Sequence, residues 1–555
     1  MRVFEALAEA LVAEGVTSLF GLMGDGNMDV LASIRERGAL ATYDARHEGA
    51  ALAMADGYAR ATGDVGVCTV TCGPGVTQLG TSLIVANRHR TPLVVVAGDT
   101  PNGEKGMGAL QDLDQRRFAE ASGALFHQLR GPGTVAADVQ RAFFLARTQR
   151  LPVFLNCPID VQESEAQGEF RYVGSRTRIG RLVRATPDSV GVEKAADLIA
   201  NARRPVIVAG AGAIAANARD AIQTLGDRIG AALGTTVQGK GYLDGPWSFG
   251  ICGTFATVKS EPILQAADLV IFVGSSVTAN VTGGGSLFPR AQAIQIDVNP
   301  NALVAGRPAD HLVIADAREG VEAISRVLEN AGYVASGYRD GTFSEILALD
   351  PISCEIEQVD WDLPAGEVDP RRVVRELDRV LPDDCHVVIG AGHFWSFPTT
   401  YLSGRSRRFH YTYDFGCIGQ AIPTGFGVAV ADLQRPVVVF EGDASTLMSV
   451  HEFDTTARYR PKMLVVVMND GALGAEVHKL RSKGHDPKWG IVRTPDFCRV
   501  AEAFGNHGAT VEDASQVERI VSDFMIGEGT HVVDVRASRM AVSRYYRKNL
   551  FGAEA

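Results

Sequence analysis

Val437-Val438-Val439-Phe440-Glu441-Gly442-Asp443-Ala444-Ser445 opens the stretch that decides the fold, and Met463-Leu464-Val465-Val466-Val467-Met468-Asn469-Asp470-Gly471 closes it. Each half begins as a short, β-branched apolar run and ends in turn residues, the pattern of a buried parallel strand. Between them, Ser445 to Arg458 has helical spacing, with Leu447, Val450, Phe453 and Ala457 on one side. Ser445 is the predicted helix start. A strand–helix–strand crossover brings both strand ends to one sheet edge, where open α/β sheets bind ligands.

At that edge Asp443 offers a carboxylate and Asn469 an amide oxygen. Both are hard donors, suited to Mg²⁺ and poorly suited to Zn²⁺. The small residues Gly442, Ala444 and Ser445 let backbone N–H groups approach a phosphate at the helix N-terminus. Either motif alone reads as an ordinary turn. Together, across one crossover, they read as a Mg²⁺–diphosphate clamp.

Gly442-Asp443-Ala444-Ser445 followed by Asn469-Asp470-Gly471 resembles the thiamine diphosphate (ThDP) motif, GDG and then NN or ND, with Ala444 in place of the third glycine. The resemblance implies that Asp443, Asn469 and the Gly471 carbonyl hold Mg²⁺, which bridges the cofactor's diphosphate.

Composition sets the frame. A chain of 555 residues, 46% apolar and with 60 glycines, suits three α/β domains better than one core. A net charge of −11 argues against a nucleic-acid partner. The eight cysteines are scattered without metal spacing and read as free thiols in a reducing cytoplasm. Neither a signal peptide nor a membrane-spanning run is visible.

In the first domain, residues 1–165, a strand leads into Gly21-Leu22-Met23-Gly24-Asp25-Gly26-Asn27, a tight loop carrying Asp25, which also reads as a turn or cap residue. Arg46-His47-Glu48-Gly49-Ala50-Ala51 opens an alanine-rich helix, whose dipole alone favours a first-turn carboxylate. The segment resembles the RHE-x-x-A of ThDP enzymes. The resemblance gives Glu48 the hydrogen bond to the aminopyrimidine N1′, which drives the cofactor's own acid–base chemistry. It also sets Gly73 and Gly75, in a GPG turn, against the cofactor. Gly108-Ala109-Leu110-Gln111-Asp112 resembles the GAFQE of acetolactate synthases and puts Gln111 beside the cofactor; otherwise Gln111 is a solvated loop residue.

Residues 166–187 read as a linker. The central Rossmann-like domain, 188–332, carries Gly210-Ala211-Gly212-Ala213-Ile214-Ala215, a weak dinucleotide fingerprint. A nucleotide-binding dehydrogenase would need an acid beyond it, and Asp227 is near that spacing. Acetolactate synthases bind FAD here, next to an arginine-bearing segment. Gly274-Ser275-Ser276-Val277-Thr278-Ala279-Asn280 lacks that arginine, which argues against FAD.

Residues 333–368 read as a second linker. The diphosphate-binding domain, 368–545, follows. Ala391, Gly392 and His393 stand where the family meets the diphosphate, although His393 also reads as a packed or capping histidine. Gly416 and Ile418 match the segment that grips the aminopyrimidine, and Ile418 matches the apolar prop that bends the cofactor and brings its reacting atoms together. On the helix after Asn469, Glu476 and His478 are candidates for proton transfer or substrate-carboxylate recognition, and equally ordinary polar residues of an amphipathic helix.

The fold expected is therefore α/β, three doubly wound parallel-sheet domains. The resemblance spans nearly the whole chain and covers acetolactate synthases and pyruvate decarboxylases. It implies a homodimer or homotetramer, with the cofactor between the first domain of one subunit and the third of another. It further implies a 2-oxo acid substrate and an enamine intermediate, protonated to an aldehyde or added to a second carbonyl. Gly108–Asp112 and the middle domain favour an acetolactate-synthase-like carboligase. Asp25, matching the aspartate of pyruvate decarboxylases, keeps a decarboxylase or C–C lyase as the alternative. A non-catalytic homologue should lack Glu48.

Overall fold

The computed structural model describes residues 1–38, 40–179, 184–300, 308–335, 338–339, 341–404 and 406–552. It contains three six-stranded sheets, and every strand pair in them is parallel. The first is built from β1 (Ser18–Gly21), β2 (Ala41–Asp44), β3 (Gly66–Val70), β4 (Leu93–Asp99), β5 (Leu125–Gln128) and β6 (Pro152–Pro158). The middle one uses β7 (Pro205–Ala209), β8 (Ala232–Thr235), β9 (Ser248–Ile251), β10 (Leu269–Val273), β11 (Gln292–Asp297) and β12 (His311–Ile314). The third uses β13 (His386–Ile389), β14 (Arg408–Tyr411), β15 (Val437–Gly442), β16 (Met463–Asn469), β17 (His507–Val511) and β18 (Thr530–Arg536).

The first and third sheets share one strand order, β2-β1-β3-β4-β6-β5 and β14-β13-β15-β16-β18-β17. The middle order, β12-β11-β10-β7-β8-β9, is the Rossmann order read from the other edge. In the third sheet the order reverses between β13 and β15. The crevice at that point opens between the loop after β13, which carries Ala391–His393, and the turn after β15, which carries Asp443.

The first and third sheets are joined by a close helix crossing. The Glu48–Thr62 and Ala421–Ala431 helices meet backbone to backbone: a Cβ on Gly57 would lie 2.0 Å from the Thr424 oxygen, and one on Gly427 would lie 1.8 Å from that of Met54. Only glycine permits this approach. One apolar core therefore runs from Phe20, Met54 and Val95 of the first unit into Phe426, Val439 and Val465 of the third.

Four sequence expectations are corrected. The helix predicted over Ser445–Arg458 is two helices, Asp443–Met448 and Glu452–Tyr459, with Gly442 as the N-cap residue instead of Ser445. Leu447, expected inside, is exposed. The presumed linker 166–187 contains a helix, Ser175–Ile179, tied to the first unit by Ser175 N to Glu14 Oε1 at 2.7 Å; its residues 180–183 lie outside the described residues. The presumed linker 333–368 contains helices Gly341–Leu347 and Pro351–Gln358. It is held by the fully buried Arg371, which donates to the Val359 carbonyl at 2.8 Å and pairs with Asp369 at 2.7 Å. Such polar anchors leave no apolar period to read. Finally, Asp227 lies on the helix before β8, on the surface, paired with Arg339 at 2.7 Å. Thr235 and Thr236 occupy the end of β8, so the ribose-binding acid of a dehydrogenase is missing from its place.

Candidate functional site

β15 and β16 pair in register, Gly442 opposite Met468, so Asp443 and Asn469 emerge side by side. Asp443 is buried. Its Oδ1 accepts from Ala444 N at 2.7 Å and its Oδ2 from Gly471 N at 2.8 Å. Burial raises its pKa in spite of these amides. Asp470 beside it is raised too, by burial first and then by the Asp443 charge. Two neighbouring carboxylates, Asp443 buried and Asp470 half-buried, that both resist ionisation make a site that a divalent cation would relieve.

Asn469 is aimed by its neighbours. Asp534 Oδ1 accepts from Nδ2 at 2.9 Å, and Thr494 Oγ1 donates to Oδ1 at 2.9 Å. A carboxylate only accepts when ionised, so the amide oxygen is the atom turned away from Asp534. Gly471, at φ +65°, follows, and Arg539 Nη1 stands 3.5 Å from its carbonyl oxygen. A carboxylate, an amide oxygen and a carbonyl form an all-oxygen set that fits Mg²⁺ with a diphosphate. Among the described residues no group of three His, Cys, Asp or Glu side chains gathers around a metal position.

Ser445 does not face a phosphate with its hydroxyl. Oγ accepts from Gly419 N at 2.7 Å and hydrogen-bonds Glu441. Glu441 is fully buried, its pKa pushed up to about 7 by burial. It also accepts from Ala421 N at 3.0 Å and lies where a Cβ on Gly390 would meet it at 2.2 Å. It thus ties together the turn after β13, the Gly416–Gln420 loop and the Asp443 helix. A charged residue closing the run Val437–Phe440 is the signal that marks it in the sequence. Gly416 is exposed at φ +72° and Ile418 is half-buried two residues on.

Around the turn after β13, Ala391 and His393 are buried and Gly392 adopts φ 146°. His393 is a packed histidine: Nε2 accepts from Ser543 N at 3.1 Å, and its ring lies 4.4 Å from that of His478 and 4.9 Å from that of Tyr546. Burial holds His393 well below the ordinary histidine range and lowers His478 to about 4, so both are neutral. Glu476 points outward and pairs with Lys479 at 3.1 Å.

In the first unit, Glu48 begins its helix behind His47, whose Nδ1 accepts from Gly49 N at 3.0 Å. Its carboxylate stands beside the GPG turn: a Cβ on Gly75 would be 3.6 Å from Oε1. Gly73 has φ 56° and ψ −105°, a conformation closed to other residues, and a Cβ there would meet the Gln111 carbonyl oxygen at 2.7 Å. Gln111 Oε1 accepts from the Cys72 thiol at 2.8 Å, so Gln111 is anchored against that turn. Gln115, unnoticed in the sequence, is buried and accepts from Gly73 N at 3.1 Å. Asp25 lies exposed in the turn after β1, and Asn27, not Asp25, precedes the helix as its cap residue.

Comparison with known proteins matches this division. Residues 1–118 match the thiamine pyrophosphate enzyme N-terminal TPP binding domain, 192–324 the central domain, and 389–535 the C-terminal TPP binding domain. The chain belongs to the thiamine pyrophosphate enzymes. It is 30% identical to the acetolactate synthase large subunit of Parasynechococcus marenigrum (strain WH8102), over 96% of this chain and 87% of that one. It is 28% identical to the acetolactate synthase of Arthrospira platensis, over 96% and 94% of the two chains. Against the acetolactate synthase isozyme 3 large subunit of Escherichia coli (strain K12) the identity is 26%, over 94% and 91%. The two matched TPP binding domains fall on the first and third sheets, which have the same strand order. No helix among the described residues is long and apolar enough to cross a membrane.

Proposed function

We propose that this chain is an acetolactate-synthase-like carboligase acting on 2-oxo acids with ThDP and Mg²⁺. Its domains are 1–165 for the pyrimidine, 188–332 as the centre and 368–545 for the diphosphate. The single observation that carries the reading is the Asp443–Asn469 pair, an oxygen donor set at the carboxyl ends of the neighbouring strands β15 and β16, beside the switch point, with its amide aimed by Asp534 and Thr494. The relatives' names support the substrate class. When bound, the cofactor supplies a carbon nucleophile and an electron sink for loss of CO₂.

The chain's own residues do the rest. Asp443, Asn469 and the Gly471 carbonyl would hold the metal, and the Ser445 amide in the first turn of the Asp443 helix would face the diphosphate. Gly416 and Ile418 would grip and prop the aminopyrimidine. Glu48 holds a proton against the ring nitrogen, which is general acid–base work. Gln111, fastened to Cys72, would face the reacting side of the bound cofactor. His393 and His478 stay neutral and pack the wall, so neither serves as a cationic anchor for a substrate carboxylate. FAD is not part of this proposal.

We place the complete site between two copies of the chain. Large apolar side chains stand exposed in the very segments that flank both half-sites: Met23, Met28 and Leu110 in the first unit, Phe415, Leu447 and Met448 in the third. Such exposed patches suit an interface. The eight free thiols suit a reducing cytoplasm.

The test is a product assay on protein reconstituted with Mg²⁺ and ThDP, using pyruvate and bulkier 2-oxo acids beside a Glu48→Gln control. CO₂ release with a coupled acyloin or acetohydroxy acid, lost in the control, is the expected result. Aldehyde alone moves the enzyme to the decarboxylases. No turnover of any 2-oxo acid with ThDP still bound sinks the substrate class.

A further inference from the structure

A cavity of about 490 Å³ lies away from the cofactor residues, between the middle and third units. One side is the carboxyl edge of the middle sheet: Thr235 at the end of β8, the segment Lys240–Gly245 after it, and Thr257 and Lys259 beyond β9. The other side comes from the third unit, Thr400–Gly404 and Asp378, and the floor from Asp350–Ile352 in the connecting segment. Leu243, Phe249, Ile251, Ile352, Tyr401 and Leu402 make much of the wall apolar.

Lys240 is the feature that needs an explanation. It is nine-tenths buried, with 9% exposure, and it lines this cavity. Among the described residues its ammonium group makes no hydrogen bond or ion pair; its one close contact is the Phe409 ring, 5.2 Å from Nζ to the centroid. Lysine is almost never buried without a partner, because taking the ammonium out of water is costly. Lys259 lines the same space from the same, middle-unit side. Two of the three carboxylates in the lining are already engaged. Asp378 accepts from Ser403 N at 2.8 Å and pairs with Arg407, and Asp350 caps Ile352 N at 3.1 Å. Asp244 is the third; it sits against the Gly404 backbone and acts on both lysines only at longer range.

We propose that this cavity is a binding site for a small organic anion, with a carboxylate or phosphate head held by Lys240 and Lys259 and an apolar body against Leu243, Ile251 and Ile352. The volume suits a molecule of metabolite size, and the lining offers both an apolar wall and charged side chains to orient a polar head. Burial lowers the Lys240 pKa to about 8, with Asp244 and Asp378 opposing, which leaves the group protonated at neutral pH and ready to pair. The site is built by residues from both units, so it is intact only in the folded full chain.

The experiment is calorimetric titration of the holoenzyme with 4-methylpentanoate, an aliphatic carboxylate with no 2-oxo group, and separately with inorganic phosphate. The expected result is one site per chain for at least one probe, weakened at least tenfold in Lys240→Met. Carboxylate binding alone assigns a carboxylate head; phosphate binding assigns a phosphate head. A second variant, Ile352→Trp, fills the cavity with both lysines in place and abolishes the same binding. Asp443→Ala, which disables the proposed diphosphate clamp, leaves it unchanged. Because Lys240→Met removes an unpaired buried charge, its melting temperature without ligand is at least that of the parent. Failure of both probes to bind, or equal affinity in parent and Lys240→Met, overturns the proposal.

Discussion

Gly427→Ala tests the joint on which the relative position of the two half-sites depends. The new Cβ would start 1.8 Å from the Met54 carbonyl oxygen, a backbone atom with no rotamer to escape by. An ordinary contact between such atoms is about 3.2 Å or more, so the helices must part by more than an ångström. Parting them also opens the reciprocal contact of Gly57 with Thr424 and loosens the core around Met54 and Phe426. Helix propensity works in the other direction, since alanine in a helix interior is favoured over glycine by about 1 kcal/mol. Overpacking a rigid core costs about 1–3 kcal/mol or more, and a backbone obstruction belongs at the upper end, so the net expectation is a loss of about 2 kcal/mol. A chain with three units is not a two-state system, so a local readout is needed. Deuterium uptake in peptides of the Glu48–Thr62 and Ala421–Ala431 helices should rise about thirtyfold in apparent opening, while the middle sheet stays as protected as before. Gly80→Ala is the control: it is also helical, but its Cβ would meet only the Phe118 ring, at 3.4 Å. If Gly427→Ala protects these helices as well as Gly80→Ala does, the crossing is not held by glycine contact and the reasoning fails.

Asp534→Asn keeps the shape of the side chain but lets the Asn469 amide turn over. The Mg²⁺ concentration needed to support ThDP binding should rise about 10–100-fold, as for other loss of support behind a ligand; an unchanged Mg²⁺ requirement would refute the role given to Asp534. His478 bears on acid stability. Its folded pKa of about 4 lies below its ordinary 6.5, so the unfolded chain takes up the proton first. Stability from this group is complete above pH 6.5 and is lost as pH falls toward 4, by about 3 kcal/mol in total. His478→Phe should therefore flatten the acid limb of a melting-temperature profile between pH 6.5 and 4.5, and an unaltered slope would count against it.

The sequence by itself determined the architecture and which residues end the neighbouring strands at the third sheet's edge. Apolar runs such as Val437–Phe440 and Met463–Met468 are short, β-branched and bounded by turn residues, and those local features mark them as buried strands. The pairing of Asp443 with Asn469 follows from one strand–helix–strand crossover, so it too was legible. What tertiary structure alone decided involves residues far apart in the chain. Glu441 looked like turn punctuation and became the acceptor that binds the Gly416–Gln420 loop to the Asp443 helix. Ser445, read as a cap and phosphate neighbour, spends its hydroxyl on that same carboxylate. His478, a candidate proton carrier by type, and His393, read as a diphosphate neighbour or a packed histidine, are neutral because both are buried, packed against each other and Tyr546. The segment 333–368 seemed a linker because Arg371 anchors it by hydrogen bonds to Val359 and the Glu355 carbonyl, which no period reveals. Local spacing reports which face of an element is buried; it says nothing about which distant group a buried polar atom will meet, and it is those meetings that set protonation, orientation and the shape of the site.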